Sequence, residues 1–348
     1  MNPAVWEIGI KRYLAAAALL VAVAGSGRAS DARQTRFEFS EPHMGTLFRI
    51  VLYAPDASTA TQASRAAFDR IAALDDIMSD YRAGSELMRL CQQADGPPVK
   101  VSGDLFRVLA AAQDVAKRSD GAFDVTVGPV VRLWRGAGRS RRLPDPERLT
   151  QAEKLVGYEE IRLDPAAQTV QLLKRGMLLD LGGIGKGYAA DAALDVLRQY
   201  GITRALVAGG GDIAAGDPPP AKEGWRIGIA PLEPTSGAPW RFVLLRDAAI
   251  STSGDAEQHV EIGGVRYSHV VDPKTGQALT GRRSATVIAP NCTTSDALAT
   301  AVCVLGPKRG VALIDSLPGT SVLMVLKDER GQRSYESKFP APLPAGAE

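Results

Sequence analysis

Asp296 and Thr300 stand four residues apart in TTSDALATA (293–301), and on a helix that spacing puts both side chains on one face. A carboxylate and a hydroxyl so placed can ligate a hard cation such as Mg2+, which keeps other positions for water or phosphate oxygens. The same residues equally serve a plain helix, with Asp296 set against the dipole near its start and Thr300 packed inward. A second stretch, DLGGIGKGYAAD (180–191), sets Lys186 among four glycines, with Asp180 and Asp191 at its ends. It is not a Walker loop, because Gly187 follows Lys186 where Ser or Thr is needed, and its glycine spacing is wrong for a dinucleotide fingerprint. Backbone N–H groups and a positive helix end can hold an anion there; tight packing of a strand on a helix explains the glycines as well. GGGDIAAG (209–216) and STSGDAEQ (251–258) add two more small-residue turns carrying acids, and together the three point to one lined cleft. Among three histidines, His269 in SHVVDPKTG ends a strand beside a turn, where an imidazole can act as a general base. His43 and His259 read as surface or structural.

These residues need elements to hold them. FEFSEPHMGTLFRIVLYA (37–54) reads as two strands joined by a tight turn at Met44-Gly45-Thr46. Ala63, Ala67, Ile71, Leu74 and Met78 recur at helical spacing, and 102–121 is a helix with Ser102 as N-cap and Gly121 past its end. AFDVTVGPVVRLW (122–134) reads as a short strand entering a loop or helix start, followed by an exposed loop, a short helix and a strand. GMLLDLGGIGKGYAADAALDVLRQYG reads as strand, glycine loop and helix. From 202 to 290 strands dominate; SDALATAVCVLG is helical, and a last helix and strand follow. Helices and strands do not alternate as βαβ units, which predicts an α+β fold, one large mixed domain of mainly antiparallel sheets with packed helices.

Composition places the chain among ordinary soluble proteins, and a net charge of +2 over 348 residues gives no support for a nucleic-acid partner. The arginines at 132, 135, 139, 141 and 142 read as a solvated loop. Lys11 and Arg12 precede the apolar run YLAAAALLVAVA and the small residues GSGRAS, the plan of a secretory leader. Residues 1–29 are therefore expected to be removed, 30–337 to form the domain and 338–348 to be a disordered tail. No cysteine follows the apolar run, so a soluble exported protein is expected, periplasmic in a cell with two membranes. Cys91, Cys292 and Cys303 are too few for a disulfide scaffold and match no zinc spacing; buried free thiols are expected.

MGT (44–46), GAFDVTVGPVVRLW (121–134), DLGGIGKGYAAD, GGGDI, STSGD, SHVVDPKTG and TTSDALATA, in that order over residues 40–327, resemble the FAD:protein FMN transferase (ApbE) family. The resemblance implies a cofactor held in a central cleft and an enzyme that uses Mg2+ to transfer FMN from FAD to a threonine or serine hydroxyl of an acceptor protein, releasing AMP. The implied acceptor is a membrane-associated or exported electron-transfer protein. By matching positions, Gly183, Asp296 and Thr300 would hold the metal, Met44, Tyr81, Ala122, Phe123, Asp124, Asp180, Lys186 and Val271 would contact FAD, and His269 would be the base. Three departures stand out: Ser295 replaces a frequent alanine, Cys91 a frequent polar residue, and Ala299 occupies a position that is a second aspartate in some relatives. An FAD pyrophosphatase and a non-catalytic exported flavin-binding protein are the alternatives.

Overall fold

A computed structural model describes residues 34–232, 239–254, 259–329 and 331–343. The expected leader, the end of the STSGDAEQ turn (255–258) and residues 344–348 lie outside these. In chain order the first half holds β1 (Thr35–His43), β2 (Thr46–Ala54), α1 (Ala57–Met78), α2 (Glu86–Gln92), β3 (Val99–Lys100), α3 (Gly103–Arg118), α4 (Gly128–Ser140), α5 (Pro146–Glu153), β4 (Ile161–Asp164) and β5 (Thr169–Leu172). The second half holds α6 (Gly185–Gln199), β6 (Ala205–Gly209), β7 (Asp212–Ala215), β8 (Trp225–Ile229), β9 (Arg241–Leu245), β10 (Ala248–Gly254), β11 (His259–Ile262), β12 (Val265–Val271), β13 (Ala278–Thr280), β14 (Arg282–Ala289), α7 (Cys292–Asp315), β15 (Ser321–Asp328) and β16 (Gly331–Ser337).

Eight strands form one antiparallel sheet in the order β1-β2-β6-β7-β10-β14-β15-β16. Its alternating residues divide the interior. Phe48, Ile50 and Leu52 join Ile71, Leu194 and Leu298 in the main core, with α1, α6 and α7. Val51, Leu206 and Val325 pack instead against Trp225, Ile227 and Val243 of the β8–β9 hairpin. Each large apolar side chain so enclosed contributes about 1.5–3 kcal/mol. The α+β architecture is as expected, a single domain of mixed helices and mainly antiparallel sheets.

Four local expectations are corrected. Val125-Thr126-Val127 looks like a strand, but the Asp124 carboxylate accepts from the Thr126 N–H and hydroxyl and winds it into a 3-10 turn. Gly128 and Pro129 then start α4, which takes in arginines expected in a loop and ends with Arg141 in the left-handed region. Residues 177–180 join no β-ladder: α2 and α4 flank them, the Cys91 Sγ accepting from Leu179 N–H and Leu178 lying against Gly128. The strand β16 had no counterpart in the sequence reading. Residues 338–343 are not a free tail, because Arg241 holds Glu336 and the Pro340 carbonyl, lies over the Phe339 ring, and Leu343 N–H donates to Phe242 O. All three cysteines are buried and none forms a disulfide.

Candidate active site

Asn291, not Asp296, caps α7, its side chain accepting from Thr294 N–H. Asp296 therefore lies one turn further in and does not serve as the first-turn acid of the plain-helix alternative. It is 2% exposed and accepts from Gly187 N–H at 3.0 Å. The start of α6 runs alongside: a Cβ on Gly187 would collide with the Cys292 carbonyl and fall 2.9 Å from the Asp296 Cβ. Four residues earlier, a Cβ on Gly183 would fall 3.0 Å from Thr300 Oγ1 and 3.3 Å from the Phe123 ring. Gly187 is thus required by close approach to the α7 backbone, and Gly183 sits in tight contact with two side chains, so packing accounts for part of the motif. The contact pairs, 183 with 300 and 187 with 296, show the loop running antiparallel to α7. Asp191 closes the far end, accepting from Cys292 N–H, Thr293 N–H and the Thr293 hydroxyl at 2.6–2.8 Å.

The sheet supplies the other wall. Ser251 and Ser253 on β10 meet Ser295 and Thr300 on α7, with Oγ–Oγ distances of 2.8 and 3.1 Å. Asp212, paired in register with Ser251, is 2% exposed and places its carboxylate 3.0 Å from Lys186 Nζ. Lys186 also lies 3.6 Å from Asp296 and donates to Gly182 O at 3.1 Å. Two enclosed acids thus share one ammonium. Burial raises the Asp296 pKa and Asp212 raises it further, against the pull of Lys186, to about 7. Burial opposes the charge on Lys186, yet the two carboxylates outweigh it and hold the ammonium well above its ordinary range.

A second cluster borders the loop. Asp180 accepts from Gly182 N–H at 2.8 Å and from Arg135 at 2.8 Å; Arg135 also pairs with Asp80. The same guanidinium lies 4.6 Å from the centroid of the Tyr81 ring, and Tyr81 is 77% exposed. Burial pushes Asp80 up, as does Asp180, with Arg135 opposing.

The structure brings Gly183, Phe123, Thr300, Asp296 and Lys186 together around the glycine loop, with Asp180 at its start. Thr46 of the β1–β2 turn and Lys186 both lie against Gly210, which brings the Met44 turn to the same corner; Met44 N–H donates to Asp75 at 3.3 Å. The Asp124 carboxylate is engaged by Thr126 and by Tyr158 N–H, and Phe123 N–H donates to the Ser119 hydroxyl. Ala122 is buried, and Val271 is enclosed with Val130, Trp134 and Ala278. His269 is exposed on β12, whose following turn is tied to α4 by Trp134 Nε1 donating to Gly276 O at 2.8 Å. Sequence reasoning named no role for Asp212, Ser253, Asp80 or Arg135. The last carried a signal: Arg132, Arg135 and Arg139 are spaced as one helical face.

A magnesium ion fits this donor set. The Asp296 carboxylate, the Thr300 hydroxyl and the backbone at Gly183 are hard oxygen donors at one corner, and a carboxylate too poorly served by its neighbours to keep an ordinary pKa gains from a cation. So few ligands leave coordination positions for water or phosphate oxygens. A cavity of about 300 Å³ lined by Asp191, Asp195, Arg198 and Asn291 shares none of these donors.

The model of the ApbE family matches residues 44–324. A FAD:protein FMN transferase of Treponema pallidum is 34% identical over 345 residues, covering 94% of this chain and 93% of the relative. One of Vibrio cholerae is 32% identical, with 94% and 97% covered. Among solved structures, the apbe protein of Thermotoga maritima superposes with a TM-score of 0.78 at 31% identity, covering 87% of this chain and 97% of that one. A family match across most of the chain, relatives of full length and a shared fold make this protein a member of the ApbE family.

Proposed function

We propose that the protein transfers FMN from FAD to a threonine or serine hydroxyl of an acceptor protein and releases AMP. Relatives named FAD:protein FMN transferase support the reaction class. The observation that carries it is the corner where Asp296, Thr300 and the Gly183–Gly187 turn meet beside Lys186.

The acceptor oxygen attacks the phosphorus on the FMN side of the pyrophosphate. A new P–O bond forms, the bond to the AMP phosphate breaks, and AMP leaves with its electron pair. Asp296, Thr300 and the Gly183 backbone would hold Mg2+, which would supply charge neutralisation to the pyrophosphate when bound. Lys186 adds an ammonium beside the same group. His269 takes the hydroxyl proton, a contribution typically worth ~10²–10⁴-fold. Tyr81 and Met44 offer an aromatic face and a thioether to the flavin ring. With its leader read from residues 1–29, the mature protein acts outside the cytoplasm on an exported or membrane-associated electron-transfer protein.

Incubation with FAD and Mg2+, with and without a flavin-acceptor domain, tests this reading. Transfer leaves a fluorescent acceptor band after denaturing electrophoresis; FMN and AMP released equally fast without acceptor assign hydrolysis instead. His269→Ala should slow transfer with a smaller change in FAD affinity, and unchanged kinetics remove it as the base. Cell fractionation checks the location, and a cytoplasmic pool retaining residues 1–29 rejects export.

A further inference from the structure

Arg135 joins pieces of the site that lie far apart in the chain. Its guanidinium binds Asp180, which opens the glycine loop, at 2.8 Å, and Asp80, which precedes Tyr81. It also covers the Tyr81 ring with its carbon 4.6 Å from the centroid. The other α4 arginines differ: Arg132 and Arg139 are exposed, whereas the Arg135 side chain is 28% exposed. An exposed tyrosine ordinarily moves among rotamers. Here one cation lies over its ring, and the same cation holds the acid whose other oxygen accepts from Gly182 N–H, one residue before Gly183.

We propose that Arg135 is a positioning residue for the dinucleotide, fixing Tyr81 and the origin of the glycine loop in one geometry before FAD arrives. This rests on the proposed function above. The role needs a guanidinium. Its planar fork serves two carboxylates at once while lying over a ring, and a lysine ammonium cannot do all three. Without it, Asp80 and Asp180 face each other as like charges and the loop and the ring lose their common anchor. A site ordered in advance binds more tightly because less ordering remains at the moment of binding.

FAD titration with Mg2+, followed by quenching of flavin fluorescence, tests the role on wild type, Arg135→Met and Arg135→Lys, with melting temperature as the folding control. Both variants should bind FAD about 10–100-fold more weakly with kcat less affected, the scale expected of a small misplacement. Added guanidinium should restore part of the affinity of Arg135→Met. If Arg135 acts through its partners, Arg135→Met should cost less in an Asp180→Asn background than alone. Wild-type affinity in either folded variant overturns the role, and so does full additivity with Asp180→Asn. If Arg135→Met fails to fold, Arg135→Lys decides by the same criterion. A wild-type protein that binds no FAD overturns the proposed function, and this role with it.

Discussion

Two aspartates at helix crossings have opposite fates. Asp104 on α3 receives both Nη atoms of Arg70 from α1 at 2.5 and 2.8 Å, Arg107 at 2.7 Å and the Tyr188 hydroxyl from α6 at 2.9 Å. Led by the Arg70 hydrogen bonds, these donors hold its pKa at about 2. Asp296 has one backbone N–H, a lysine at 3.6 Å that lies nearer to Asp212, and a pKa raised by burial to about 7. The first acid is saturated and braces three helices. The second is enclosed with too few donors, an arrangement that costs stability and leaves a place for a cation. The number of donors, rather than burial alone, separates a brace from a site.

The largest test of that contrast is Asp296→Asn, which should abolish transfer in the acceptor assay by removing the ionised oxygen ligand; retained activity breaks the assignment. The same variant should melt higher than wild type at pH 8 without metal. A folded pKa near 7 against an ordinary 3.8 means the charge is a penalty, full above pH 7 and fading as pH falls toward 4. Relief of roughly 1–3 kcal/mol is expected, a few degrees in Tm.

Gly187→Ala should come next, because its Cβ meets backbone at Cys292 and side chain at Asp296. Parting α6 from α7 should cost about 1–3 kcal/mol and cut transfer as well; a variant that melts and works like wild type removes the close-approach argument. Asp104→Asn should move Tm the opposite way from Asp296→Asn, losing roughly 2 kcal/mol, while transfer stays within a few-fold of wild type. A fall in activity without loss of stability would give Asp104 a part in the site.

The smallest effect is on the acid limb. A depressed carboxylate stabilises the fold above its ordinary pKa and stops doing so as pH falls from about 4 to 2. Asp104→Asn should therefore flatten that part of a Tm-against-pH curve, and an unchanged slope would mean that Arg70 and Arg107 contribute little there.

Much of the site was legible because it lies within single elements. The i, i+4 spacing of Asp296 and Thr300 shares a face on any helix, and Met44-Gly45 carries positive φ at both positions, as a tight hairpin turn requires. Misreadings arose where side chains overrode local preference. Asp124 folded a β-branched triplet into a turn, and Met177–Asp180 found helices beside it in place of strands. The arginine run at 132–142 reads as a solvated loop from its charge pattern alone; Asp80 and Asp180 reach Arg135 from 55 and 45 residues away.

By itself the sequence determined the α+β class, the glycine turn and the helix carrying its acid and hydroxyl, since covalent spacing and hydrogen-bonding geometry fix what one element presents. Only the tertiary structure decided that Asp212 competes with Asp296 for Lys186, and that Arg135 spans three segments. Those relations depend on distances of a few ångströms between remote elements. Packing sets such distances, and no local periodicity encodes them.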